Sequence, residues 1–242
     1  MELTESAKNA GADACLSVVP YYNRPTQEGL YRHFKAIHDA THFPLVIYNI
    51  PGRTGVNITD DTLARLSALP NVAGIKDATG DLARVHTLRA RIQKTEPSPL
   101  EGEGRVRGGE GNAPMSTTPH LNPPPQGGRK AFSILSGEDM TAVAFNAIGG
   151  QGCISVSSNI MPRACAEVQN ACLAGDFKKA LMLQDKLVAL HEVMFCETSP
   201  APVKYAASLI GKCTADLRLP LVGVSDANKK ALQQILSNLG LI

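Results

Sequence analysis

Short apolar runs alternate with helix-patterned stretches along most of the chain, and that alternation restricts the fold more than any other property of the sequence. Ala14-Cys-Leu-Ser-Val-Val, Leu45-Val-Ile-Tyr, Val72-Ala-Gly-Ile-Lys, Phe132-Ser-Ile-Leu and Gly152-Cys-Ile-Ser-Val are each the length of a buried strand. Between them, residues 26–40 carry Leu30, Phe34 and Ile37 at helical spacing, Thr59 can cap a helix over 59–69, and 81–92 present Leu82, Val85, Leu88 and Ile92 on one face. Residues 3–10 read as a helix broken at Gly11, residues 139–148 as another, and Pro162 suits the first turn of the next. Five βα units of this kind predict an α/β fold whose parallel sheet is covered on both faces. Downstream, 177–195, 201–210 and 227–239 read as helices with no strand between them, so a helical appendage is expected after the α/β part.

One segment breaks the alternation. Residues 94–130 hold seven Gly and seven Pro with no aromatic residue and few aliphatic ones. Such a stretch buries too little apolar surface to offset its ordering entropy and is expected to be a disordered insert. The organisation expected is therefore a parallel α/β part over 1–173, interrupted at 94–130, and C-terminal helices over 174–242. Charge narrows the partners: 24 basic against 22 acidic residues leave +2, with no basic stripe for nucleic acid and no polybasic membrane anchor. No apolar run reaches the roughly 20 residues of a membrane-spanning helix. The opening Met-Glu-Leu-Thr-Glu-Ser-Ala-Lys has no apolar signal core, which points to the cytoplasm. Six cysteines without a CxxC pair or zinc spacing read as reduced, with Cys165 and Cys172 packing on one helix face, and no metal is expected.

In a parallel α/β barrel the residues just after each strand form the site. Here they are Tyr21-Tyr22-Asn23-Arg24, Tyr48-Asn49-Ile50-Pro51-Gly52-Arg53, Lys76-Asp77-Ala78-Thr79 and Ser136-Gly137-Glu138-Asp139. Lys76 closes an apolar run. Burial there would disfavour its ammonium and make the amine a carbonyl nucleophile, although a strand-end lysine taken alone is more often the ion-pair partner of a neighbouring carboxylate, here Asp77. Tyr48 reads either as a half-buried aromatic or as a proton relay, and Arg53 either as a surface cation or as a fork for a substrate carboxylate. Together the three residue types describe chemistry on a 2-oxo acid. Gly149-Gly150-Gln151-Gly152 precedes a strand and reads as a tight turn rather than a phosphate cradle.

Val19-Pro-Tyr-Tyr-Asn-Arg-Pro-Thr-Gln-Glu-Gly-Leu, Tyr48-Asn-Ile-Pro-Gly-Arg-Thr-Gly, Gly74-Ile-Lys-Asp-Ala-Thr-Gly, Leu135-Ser-Gly-Glu-Asp and Gly152-Cys-Ile-Ser-Val-Ser-Ser-Asn resemble the signature segments of the dihydrodipicolinate synthase family of pyruvate-dependent class I aldolases. The resemblance spans the chain outside the insert and implies a (β/α)8 TIM barrel with extra C-terminal helices. It implies condensation of pyruvate with aspartate semialdehyde to 4-hydroxy-tetrahydrodipicolinate, in lysine and diaminopimelate biosynthesis. By it, Lys76 forms the Schiff base, Tyr48 relays protons and Tyr22 reaches across a dimer interface to the neighbour's relay. Arg53 would hold the aldehyde substrate's carboxylate, Ile154 and Gly137 would be substrate-binding positions, and Tyr21 would lie at the interface near a regulatory site. The resemblance implies no cofactor, since the lysine is the electron sink, and a homo-oligomer built as a dimer of dimers.

Sister aldolases, the N-acetylneuraminate lyases and keto-deoxy-sugar aldolases, share the lysine and tyrosine, but Pro51-Gly-Arg-Thr-Gly favours the synthase. Aligned by its motifs, the chain is expected to begin inside the third barrel helix, with the first three strands absent. The family's Gly-Thr-Thr-Gly-Glu segment, which binds the pyruvate carboxylate, would be absent with them. Losing that anchor would cost orders of magnitude in rate, which leaves a non-catalytic remnant, or a partner docking on intact subunits, as the reading outside enzyme chemistry.

Overall fold

The computed structural model describes residues 1–95 and 132–242. The expected insert at 94–130 lies outside them except for Lys94 and Thr95, which end a helix. The described residues form two compact units, Met1–Ile134 and Leu135–Ile242.

In the first unit α1 (Glu2–Asn9) stops before Gly11, whose φ of +88° suits a residue without a Cβ. It leads into β1 (Cys15–Val18) and α2 (Gln27–Thr41). The Thr26 hydroxyl caps α2 by accepting from Gly29 N at 3.2 Å, and Leu30, Phe34, Ile37 and Thr41 turn the helix's apolar stripe inward. Next come β2 (Leu45–Asn49), a single turn α3 (Pro51–Thr54), and α4 (Asp60–Ser67) capped by Thr59. Then β3 (Val72–Asp77), α5 (Ala83–Thr95) and β4 (Ser133–Ser136) complete a four-stranded sheet in the order β1-β2-β3-β4, whose first three strands run parallel. Leu45, Ile47, Leu63, Leu66, Ile75 and Leu88 are sealed from solvent between sheet and helices. Each contributes about 2 kcal/mol of transfer free energy.

The register carries one irregularity that matters for the site. Leu45 pairs with Val72 but Val46 pairs with Gly74, so Ala73 is an extra residue in β3. Strict alternation would put Val72 and Lys76 on one face. With the extra residue, Val72 joins the helix-covered face with Leu45, whereas Lys76 comes into register with Tyr48 on the opposite one.

The second unit carries α6 (Ala142–Ala147), a 3-10 turn (Ser157–Asn159), α7 (Pro162–Leu173), α8 (Phe177–Asp185), α9 (Val188–Val193), α10 (Ala201–Leu209) and α11 (Asp226–Asn238). Pro162 occupies the first turn of α7, and Cys165 and Cys172 are both buried in its packed face. Leu190, Met194, Leu232 and Leu236 centre the core of this unit.

The structure corrects the sequence reading in three places. The fifth apolar run does not make a strand: it is reduced to one parallel bridge, Ser136 to Cys153. The Asp139 carboxylate captures Val156 N and Ser157 N at 2.8 and 3.2 Å and turns the backbone into the 3-10 helix before the ladder can extend. The helix expected over 177–195 is divided, because the chain tightens after α8 into an i,i+3 bond from Leu187 N to Gln184 O. The helix expected from 139 begins only at Ala142, since Asp139 is committed to that backbone clasp.

Candidate active site

β2 and β3 end side by side, and their last two residues divide between the faces of the sheet. Tyr48 and Lys76 are paired in register, as are Asn49 and Asp77. Lys76 Nζ lies 4.1 Å from the centroid of the Tyr48 ring, over its face. Both side chains are half-buried. Burial pushes the Tyr48 phenol above its ordinary pKa, against the opposing pull of the Arg53 guanidinium, so the tyrosine is a protonated donor at neutral pH.

The adjacent carboxylate has partners of its own. Asp77 is buried on the other face, where its Oδ1 accepts from Asn49 Nδ2 at 2.9 Å and Arg84 Nη1 at 3.3 Å, and its Oδ2 from Thr79 Oγ1 at 2.5 Å. Three side chains other than Lys76 thus bind this carboxylate.

Arg53 is exposed on α3, whose geometry follows from Ile50-Pro-Gly-Arg-Thr-Gly. Pro51 opens the turn, the Thr54 hydroxyl donates to Ile50 O at 3.0 Å, and Gly55 closes it in the left-handed region. A Cβ at Gly55 would stand 3.1 Å from Arg24 Nε, so this glycine also admits the arginine of the 20–25 turn. That turn leaves Tyr21 61% and Tyr22 96% exposed.

Gly137 and Ile154 belong to the second unit. The Ile154 amide donates to Ser136 O at 2.8 Å, so any further backbone contact from this residue falls to its carbonyl. A cavity of about 190 Å³ in this unit is lined by Asp139, Cys153, Ser155, Gln184 and His191 among others, but not by Gly137 or Ile154. Burial, with the Asp139 charge second, pushes the Cys153 thiol up to about 12, which leaves it an inert packing group at neutral pH. Burial also lowers the His191 pKa, against the Asp139 and Glu138 charges, and its Nδ1 lies 2.7 Å from Ser157 Oγ. Among the described residues no group of His, Cys, Asp and Glu could hold a metal ion, and no helix is long and apolar enough to cross a membrane.

Asn49, Asp77 and Arg84, all buried, form with the exposed Asn57 a polar cluster that reading strand ends for reactive groups passes over. The available signal was the polar residue that follows each reactive one, Asn49 after Tyr48 and Asp77 after Lys76, together with an arginine four residues before Leu88 on the buried stripe of α5.

The model of the dihydrodipicolinate synthetase family matches residues 1–96 and 126–239. The chain belongs to the dihydrodipicolinate synthetase family. The 4-hydroxy-tetrahydrodipicolinate synthase of Afipia carboxidovorans is 47% identical over 240 residues, which cover 99% of this chain and 69% of that protein. Among solved structures, the dihydrodipicolinate synthase of Aquifex aeolicus superposes with a TM-score of 0.82 at 37% identity, covering 99% of this chain and 70% of that one. The chloride-inhibited dihydrodipicolinate synthase of Acinetobacter baumannii, solved with pyruvate, gives 0.82 at 38% identity and covers 100% of this chain and 70% of that one. This membership places the parallel sheet and its helices within the (β/α)8 barrel fold, and it does not favour the sister aldolases.

Proposed function

We propose that this chain performs the chemistry of a 4-hydroxy-tetrahydrodipicolinate synthase, joining pyruvate to aspartate semialdehyde through a Schiff base on Lys76. The observation that carries the reading is the approach of Lys76 Nζ to the Tyr48 ring at 4.1 Å, on the sheet face away from Asp77. The neutral amine attacks C2 of pyruvate, the carbonyl oxygen leaves as water, and loss of a C3 proton gives an enamine whose carbon attacks the aldehyde. Tyr48, held protonated by its burial, supplies and recovers protons beside the imine. The protonated imine is itself the electron sink, so the reading requires no metal or organic cofactor.

In the same reading Arg53, exposed at the tip of α3, receives the carboxylate of aspartate semialdehyde. The Ile154 carbonyl and Gly137 contact pyruvate. The exposure of Tyr21 and Tyr22 suits a homo-oligomer, with Tyr22 joining a neighbour's relay and Tyr21 lining the interface. Six unpaired cysteines suit a reducing compartment, the cytoplasm.

Incubation with pyruvate, reduction with borohydride and peptide mass mapping test the assignment. A single adduct on Lys76 is expected, abolished by Lys76→Ala. An adduct that persists in Lys76→Ala, or none at saturating pyruvate, overturns it.

A further inference from the structure

Arg84 is only 8% exposed and sits on α5, away from the reacting face, and it touches both the end of β3 and the 55–60 link that follows Arg53. Its Nη1 donates to Asp77 Oδ1 at 3.3 Å and to Asn57 Oδ1 at 2.8 Å, its Nε donates to Asp60 Oδ1 at 2.8 Å, and its Nη2 donates to the Ile58 carbonyl. Asn49 completes the cluster. Its Nδ2 donates to both Asp77 Oδ1 and Asn57 Oδ1 at 2.9 Å, and its Oδ1 accepts from Ile58 N at 3.2 Å. The partners thus come from the end of β2 beside Tyr48, the end of β3 beside Lys76, and the 55–60 link that follows Arg53.

We propose that Arg84 is a positioning residue of the Schiff-base site, holding Asn49 and Asp77 on the helix side of the sheet so that Tyr48 and Lys76 meet on the other, and binding the carboxylate that would otherwise pair with Lys76. The proposal deepens the Schiff-base reading and rests on it. An amine attacks a carbonyl only when unprotonated, and a nearby carboxylate without its own cation favours the ammonium form. The charged and titratable groups around this part of the sheet include Tyr48 on β2, Arg24 in the turn against Gly55, Arg53 on α3, Asp60 on α4, Lys76 and Asp77 on β3, and Arg84 itself. Arg84 is the cation bound to Asp77 among them. Only a planar guanidinium can serve a carboxylate, an amide oxygen, a second carboxylate and a carbonyl at once, which a lysine at this position could not.

The decisive measurement needs no substrate. Reductive methylation of the full chain by formaldehyde and an amine-borane, resolved by site and pH, reports the protonation of Lys76 with the other lysines as internal standards. In Arg84→Met the midpoint for Lys76 is expected to rise by about 1 pH unit, since the carboxylate loses its cation, while the other lysines keep theirs. Adding Asp77→Asn to Arg84→Met removes the stranded charge and is expected to bring the midpoint back. Arg84→Lys, which keeps charge but not the fork, is expected to shift it partway and carries the test if Arg84→Met does not fold. A variant that melts earlier than the parent but keeps its Lys76 profile overturns the proposal and leaves Arg84 a structural brace. Parallel pyruvate trapping separates the two readings. A shifted methylation profile in a protein whose parent forms no adduct sinks the Schiff-base reading and not the positioning. Normal trapping with an unshifted profile does the reverse.

Discussion

Lys76 and Asp77 are neighbours in sequence with opposite surroundings, and the difference sets their chemistry. Asp77 is buried among three donors, whereas Lys76 lies over a tyrosine ring. The tyrosine offers its own test. Its pKa is raised by burial and held back by Arg53, so Arg53→Met is expected to raise it further, read as a delayed tyrosinate absorbance that Tyr48→Phe removes. The accompanying stability has a defined sign. A phenol whose folded pKa exceeds its unfolded value near 10.0 contributes stability that is complete below that pH and lost as pH rises through the folded value. Lys76 and Tyr48 were legible in the sequence because polar residues closing apolar runs stand out. Arg84 was not, because its role depends on which strand ends α5 packs over.

At the scale of elements, the extra residue in β3 decides which face the lysine occupies, and Gly74 beside it decides how near β4 can come. A Cβ on Gly74 would fall 2.4 Å from the Ser133 carbonyl oxygen, a backbone atom that cannot rotate away. Gly74→Ala is therefore expected to lower the stability of the chain by about 1–3 kcal/mol, measured as a reduced denaturation midpoint with an unchanged m-value. Helix positions were largely legible: Thr26, Thr59 and Pro162 mark the starts of α2, α4 and α7 as their capping chemistry requires. The lost fifth strand and the divided 177–195 helix were not. Both result from side chains distant in sequence, Asp139 reaching the 156–157 amides and Gln184 reaching the Asp139 and Met140 carbonyls.

On the scale of the whole chain, the family match stops at residue 96 and resumes at 126, α5 ends at Thr95 and β4 begins at Ser133. A variant lacking 97–125 is expected to keep the far-UV circular dichroism and Lys76 reactivity of the parent. Shortening the connection roughly fourfold is worth about 1 kcal/mol of closure entropy, so its Tm should be equal or slightly higher. A fall in Tm of several degrees would show that this stretch packs on the fold. By itself the sequence determined the alternation of strands and helices and the family, and singled out Lys76, Tyr48 and Arg53 as candidates, because hydrophobic period, capping and motif order are local properties of a chain. Only the tertiary structure decided that Lys76 lies over the Tyr48 ring and that Asp77 is bound by Asn49, Thr79 and Arg84. One extra residue in a strand reverses the face of everything after it, and a buried charge takes whichever partner the packing brings within reach.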